Sequence, residues 1–151
     1  MRLHYLMLFL HLLGVVVWVG GMFFAHVCLR PALGGLAPAE RLTLMHGALA
    51  RFFPLVWAAL IAILVSGGWM FAEVGGRHAP GAWHVMALTG VVMGGVFLSI
   101  WFGPWRLLGT AVAGQDWAAG AKALGIIRQR VAFNLLLGLA TIALGTLGLG
   151  L

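Results

Sequence analysis

Residues 3–29, LHYLMLFLHLLGVVVWVGGMFFAHVCL, contain no Asp, Glu, Lys or Arg. About 20 consecutive apolar residues are enough for a helix to cross the hydrocarbon core of a bilayer. Three further stretches, residues 52–72, 85–105 and 131–151, are equally free of these charges. The runs are continuous and do not alternate in ten-residue segments, so helices are the expected spanning element. The sequence therefore predicts four transmembrane helices, at approximately residues 4–29, 50–72, 83–105 and 131–151.

The composition of the whole chain agrees with this prediction. The 151 residues are 63% hydrophobic and only 8% charged, whereas a soluble domain carries about 25% charged residues. A chain of this length has no room for four spans and a large extramembrane catalytic domain as well. The basic residues lie in loops between apolar runs, which argues against a nucleic-acid-binding protein. We expect an all-α, integral membrane four-helix bundle that forms a single domain over residues 1–151.

Helix-start signals precede two of the spans. Pro38 and Glu40 place a proline and an acid in a first helical turn, so a helix is expected to begin near residue 38. Asp116 is suited to cap a helix that runs through Arg128 into the last span. The sequence therefore predicts amphipathic interfacial extensions before the second and fourth spans.

Basic residues in short loops set the orientation of a membrane protein. The amino terminus and the second loop hold only Arg2 and Arg77. The first and third loops hold seven basic residues, namely Arg30, Arg41, Arg51, Arg106, Lys122, Arg128 and Arg130. We therefore expect both termini to face outward.

Histidines are prominent because the spans contain few other polar groups. Ionisable residues at membrane depth are functional candidates. His11 lies about 12 Å past Leu3 along a helix, inside a core about 30 Å thick. Steps of three, four and seven residues place it on one face with His4, Met7, Gly14 and Trp18. The six histidines are His4, His11, His26, His46, His78 and His84.

One hypothesis for this face is a haem site. His11 would be an axial ligand of the iron, Gly14 would leave space for the flat macrocycle, and Trp18 would pack against it. A second axial ligand would come from another helix, and His84 at the start of the third span is best placed for this role. The sequence thus favours haem b between the first and third spans.

A second hypothesis is copper. Histidine and methionine both bind Cu(I), and His4, Met7 and His11 form a ladder on one helix face. His84, Met70 or Met86 would complete the site. A third interpretation is that His11 is a hydrogen-bonded core histidine in a membrane subunit without a cofactor. Few polar groups line the other spans, and this favours haem over a copper transport path.

Four other polar residues have two interpretations each. Arg51 and Asn134, near the inner ends of the second and fourth spans, would bind a haem propionate or another anionic group, or would simply snorkel and cap. His26 and His46 lie toward that same face. They would form a second cofactor site there, or would be solvated histidines near the membrane interface.

Residues 10–24, LHLLGVVVWVGGMFF, have a histidine, a tryptophan seven residues later and a glycine-rich helical turn. This stretch resembles the opening of the copper-resistance protein D (CopD) domain family. Leu29-Arg30-Pro31-Ala32-Leu33, Arg51-Phe52, Ser66-Gly67 and Asn134-Leu135 also look CopD-like. CopD proteins are associated with copper uptake across the bacterial inner membrane, so the resemblance implies that location and keeps a copper function open.

The same stretch resembles, more distantly, the HemJ-type protoporphyrinogen oxidases. Proteins of that type bind b-type haem, and the resemblance implies an axial role for His11. They also show a Trp-x-His-x-Lys pattern at the start of the third span, where this chain has Trp83-His84-Val85-Met86 and no lysine. That lysine is tied to activity in the family, so the resemblance carries over haem binding and leaves protoporphyrinogen oxidation in doubt.

The expected function is therefore that of a small b-type haem protein with a redox role. It would transfer electrons, or act as a haem-dependent oxidoreductase on a tetrapyrrole or a quinone. The expected partners are the lipid bilayer and a redox protein or quinone, with a homo-oligomer left open. The alternatives are a copper transport or copper homeostasis protein and a cofactor-free membrane subunit.

Overall fold

The computed structural model describes residues 2–147, and most of them are helical. A π-helical segment, Phe24–Leu29, joins the first two helices, and a short 3₁₀ helix, Gly76–His78, follows the third. The α-helices are α1 (Arg2–Phe23), α2 (Arg30–Ala32), α3 (Pro38–Glu73), α4 (Gly81–Phe102), α5 (Pro104–Ala113) and α6 (Trp117–Thr146).

Within residues 2–147, four helical stretches are long and apolar enough to cross a membrane. This confirms the predicted all-α, multi-pass four-helix bundle. The last predicted span ran to residue 151, and residues 148–151 lie outside the described part of the chain. The four stretches are Arg2–Ala32, Pro38–Glu73, Gly81–Ala113 and Trp117–Thr146.

The predicted extensions are the amino-terminal parts of α3 and α6, and each is continuous with its span. The backbone N–H of Ala37 donates to Glu40 Oε2 over 3.4 Å at the start of α3. Asp116 Oδ1 accepts from the backbone N–H of Ala119 over 3.0 Å at the start of α6. At 1.5 Å per residue, α3 is about 54 Å long and α6 about 45 Å. Both helices are longer than a hydrocarbon core of about 30 Å.

The helix α5 is not among the sequence-based predictions. The backbone breaks at Gly103, where φ is −114° and ψ is −105°, and Pro104 then begins the new helix. A side chain at position 103 would bring its Cβ to 2.9 Å from the Ser99 carbonyl oxygen. Leu108 and Ala111 of α5 are buried. This short helix therefore covers the extensions of α3 and α6 at the end of the molecule that holds the first and third loops.

The core lies mainly toward that same end. Within the bundle, α1 packs chiefly along α3, and α4 packs along α6. Aromatic rings join the two pairs: Phe53 of α3 contacts Phe97, Trp101 and Trp105 edge to face, at centroid distances of 5.6, 6.2 and 4.9 Å. His11 and His84 lie away from this aromatic core, toward the opposite end of the bundle.

Candidate cofactor site

The imidazole of His11 lies against α3. Its Nδ1 is 3.2 Å from Ser66 Oγ, and a Cβ atom at Gly67 would be 3.1 Å from His11 Cε1. Ser66 is buried and His11 is half-buried. The glycine at position 67 therefore lets the His11 ring approach the α3 backbone. This brings His11 Nδ1 within hydrogen-bond distance of Ser66 Oγ.

The hydrogen bonds of Ser66 determine which ring nitrogen carries the proton. Ser66 Oγ lies 2.5 Å from the Ala62 carbonyl oxygen, which can only accept. A hydroxyl has one hydrogen to donate, so Ser66 accepts from His11 and His11 donates through Nδ1–H. We therefore assign the neutral ring the tautomer whose lone pair is on Nε2. Metal-bound histidines have this arrangement, in which the other ring N–H is held by a second partner.

His84 has the same tautomer for a similar reason. Its Nδ1 is 3.3 Å from the Pro80 carbonyl oxygen, so Nδ1–H is the donor and Nε2 carries the lone pair. The ring packs edge-on against Phe71 at a centroid distance of 5.0 Å, and the residue is exposed. The Nε2 lone pair of His84 therefore lies near the amino-terminal end of α4.

The structure does not bring His11 and His84 into contact. No Cα atom of α1 lies within 8 Å of a Cα atom of α4 in the described chain. His11 lies over Gly67, whereas His84 packs on Phe71, which is four residues further along α3. Four residues of helix correspond to about 6 Å. The two imidazoles are thus on separate helix pairs and are offset along the bundle axis by about one helical turn.

Gly14 and Trp18 do not fit the expected role of lining a macrocycle. A Cβ at Gly14 would lie 2.8 Å from Ile63 Cγ1 and 3.0 Å from the Ala59 carbonyl oxygen. Trp18 is 3% exposed, and its ring meets Phe97 edge to face at 6.3 Å. Side chains and backbone of neighbouring helices therefore fill both positions, because α1 packs directly on α3.

In the proposed copper ladder, His4 is in contact with Glu73. His4 Nδ1 is 2.6 Å from Glu73 Oε2, and the two side chains are 37% and 42% exposed. Met7 is half-buried on the same face of α1. Within residues 2–147, no group of three or more His, Cys, Asp or Glu side chains is placed to hold a metal ion. The Nδ1 atom of His4 is thus already bonded to a carboxylate.

Arg51 and Asn134 lie apart from His11, and each is bonded to a backbone carbonyl. Arg51 is exposed, and its Nη1 donates to Gly47 on its own helix over 3.0 Å. Asn134 is 1% exposed, and its Nδ2 donates to Met93 on α4 over 3.0 Å. The side chain of Arg51 is therefore bonded to its own helix, and that of Asn134 joins two helices.

His26 and His46 lie in different environments. The ring of His46 stacks on Trp105 at 4.9 Å. His26 lines a small cavity of about 20 Å³ together with Arg30 and Arg128. Neither of these contacts involves the other histidine.

Ser66 is the hydrogen-bond partner of His11 that the sequence analysis did not predict. His4 and His11 are seven residues apart on α1, and their partners Glu73 and Ser66 are seven residues apart in the reverse direction on α3. Residues seven apart lie on the same helix face, so two antiparallel helices that pack along these faces bring both pairs together. A search for polar pairs related by such a register would have found Ser66 from the sequence.

Comparison of the chain with protein-family models, with curated proteins and with solved structures finds no significant match. The likeness of residues 10–24 to CopD and HemJ-type proteins therefore stays a resemblance.

Proposed function

We propose that this protein binds b-type haem through His11 and has a redox role in the membrane. The observation that carries the proposal is the His11–Ser66 hydrogen bond, because it leaves Nε2 of a half-buried imidazole as a lone-pair donor. Ser66 lies seven residues before the end of α3, about 10 Å along the helix. Ionisable residues at such depth are costly and are commonly functional.

The second ligand in this proposal is His84. Its Nε2 also carries a lone pair, and no Cα atom of α1 lies within 8 Å of a Cα atom of α4 among the described residues. Gly14 and Trp18 are already packed against neighbouring residues, so His11 and His84 would hold the group without them. Haem would supply one-electron chemistry there. The chain would bind and orient it and exclude water with apolar side chains.

The proposed setting is the bacterial inner membrane, with both termini outward. The concentration of arginines in the first and third loops supports this orientation. Haem near the outer end would then exchange electrons with a redox protein or a quinone on that side. In the same proposal, a tetrapyrrole is the other candidate substrate for the redox reaction. The His4–Glu73 pair engages one member of the copper ladder, so we rank copper below haem.

The visible spectrum of protein purified from haem-sufficient cells tests the proposal. We expect a Soret band and sharp reduced-state bands that are lost in His11→Ala and kept in His78→Ala, which alters an exposed loop residue. His84→Ala should convert the spectrum from six-coordinate to five-coordinate haem. A colourless preparation, or a Soret band that His11→Ala leaves unchanged, overturns the proposal. Bound copper that is lost in Met7→Ala would replace it with the copper function.

A further inference from the structure

Three arginines from three helices line one cavity at the end of the molecule opposite His4. The cavity has a volume of about 160 Å³, and its lining includes Arg30 of α2, Arg41 of α3 and Arg128 of α6. A water molecule takes about 30 Å³ of liquid volume, so the space suits a group of several non-hydrogen atoms. Met45 and Leu124 form apolar parts of the wall.

No acidic side chain within residues 2–147 is paired with this cluster. The chain has only three acidic residues, and each has a partner elsewhere. Glu40 accepts from the Ala37 backbone, Glu73 pairs with His4, and Asp116 accepts from the Ala119 backbone. Like charges held close together repel strongly where water is scarce. Within residues 2–147, the arginine cluster is therefore not paired with an acidic side chain and is able to accept an anion from outside the chain.

Arg128 provides a second, independent observation. Its Nε atom is buried and has no hydrogen-bond partner in the described structure. A buried donor without a partner costs free energy, and the guanidinium fork engages two oxygens of a phosphate or carboxylate at once. Arg128 lies 18 residues before Thr146, about 27 Å along α6. This places it near the edge of a hydrocarbon core about 30 Å thick.

We propose that the cavity lined by Arg30, Arg41 and Arg128 binds an anionic phosphate group. Two sources share this chemistry: the headgroup of an anionic phospholipid and free inorganic phosphate. Basic pockets between helices at the membrane edge suit anionic headgroups. The site is separate from His11 and does not depend on the presence of haem.

The lipid arm of the test uses native mass spectrometry. Full-length protein, purified in detergent and stripped of lipid, is mixed with phosphatidylglycerol or with zwitterionic phosphatidylcholine. We expect phosphatidylglycerol to bind with at least about tenfold preference, and Arg41→Gln and Arg128→Gln to abolish that preference. Arg106→Gln is the matched control, because Arg106 lies on α5 at the same end of the molecule and its guanidinium packs over the Phe102 ring. It should retain the wild-type preference.

The second arm measures thermal unfolding of the lipid-free protein in sodium phosphate and in sodium chloride of equal ionic strength. Stabilisation by phosphate that Arg41→Gln removes assigns the site to free phosphate. A lipid preference without phosphate stabilisation assigns it to the headgroup. Arg30→Gln and Arg41→Gln change half-buried or exposed side chains, so they remain informative if Arg128→Gln fails to fold. Absence of both effects, or effects equal in Arg106→Gln, overturns the proposal.

Discussion

Asn134 on α6 donates from Nδ2 to the carbonyl oxygen of Met93 on α4 over 3.0 Å, and both residues are buried. This side-chain bond crosses between the two helices inside the core. Interhelical hydrogen bonds in membrane proteins contribute about 0.6 kcal/mol on average and up to about 1.7 kcal/mol. From the sequence, Asn134 is a candidate ligand for an anionic group. The structure shows that it packs between two helices, and this role can be measured directly.

Asn134→Ala should lower the free energy of unfolding by about 1 kcal/mol, because it removes this bond and leaves a small void. Asn134→Asp should cost more, since a carboxylate cannot donate to Met93 and would be buried without a partner. Reversible unfolding in mixed micelles measures both. Gln129→Ala, an exposed change on the same helix, should be neutral. A wild-type midpoint for Asn134→Ala would contradict the role assigned to the bond.

Ser66→Ala should weaken haem binding about 10- to 100-fold, the usual effect of removing the partner that orients a ligating histidine. Haem titration of the apoprotein, followed at the Soret band, measures the change. Thr110→Ala is the control, because that hydroxyl bonds only its own helix turn among the described contacts. If both variants bind haem equally well, the Ser66 hydroxyl does not orient His11.

Gly14→Ala separates a packing role from a cofactor-lining role. Its methyl group would press on Ile63 and on the Ala59 carbonyl oxygen, so we expect a loss of stability of about 1 to 3 kcal/mol, typical of overpacking. A Cβ atom added at Gly20 would meet no atom of another part of the described chain within 4 Å. Gly20→Ala should therefore be neutral or slightly stabilising through helix propensity. The Soret maximum should be unchanged in both. A shifted maximum in folded Gly14→Ala would place the haem against α1 at that glycine.

The His4–Glu73 pair should contribute little to stability. Both side chains are more than one-third exposed, and such pairs contribute about 0.2 to 1 kcal/mol in double-mutant cycles. A cycle of His4→Gln and Glu73→Gln, measured by unfolding at low and high salt, should give a coupling energy in this range that falls as salt screens the charges. A large coupling that salt does not alter would instead indicate a buried, functional pair.

Several features of the molecule followed from local sequence. The charge-free run at residues 3–29 predicts a span because unpaired charges are expelled from hydrocarbon, and Asp116 predicts a helix start because its side chain can cap the first turn. The helix α5 did not follow in this way, because its start depends on the backbone conformation of Gly103. Apolar composition alone does not distinguish a continuing span from a new helix.

By itself, the sequence determined that residues 2–147 contain four helices long and apolar enough to cross a membrane, and that His11 lies on the first of them. These properties depend on the chemistry of each segment in contact with lipid. Only the tertiary structure decided that His11 is held by Ser66, that Gly14 is filled by Ile63, and that three distant arginines share one cavity. The physical reason is the register of the helices, which depends on how their surfaces interlock and brings together residues far apart in the chain.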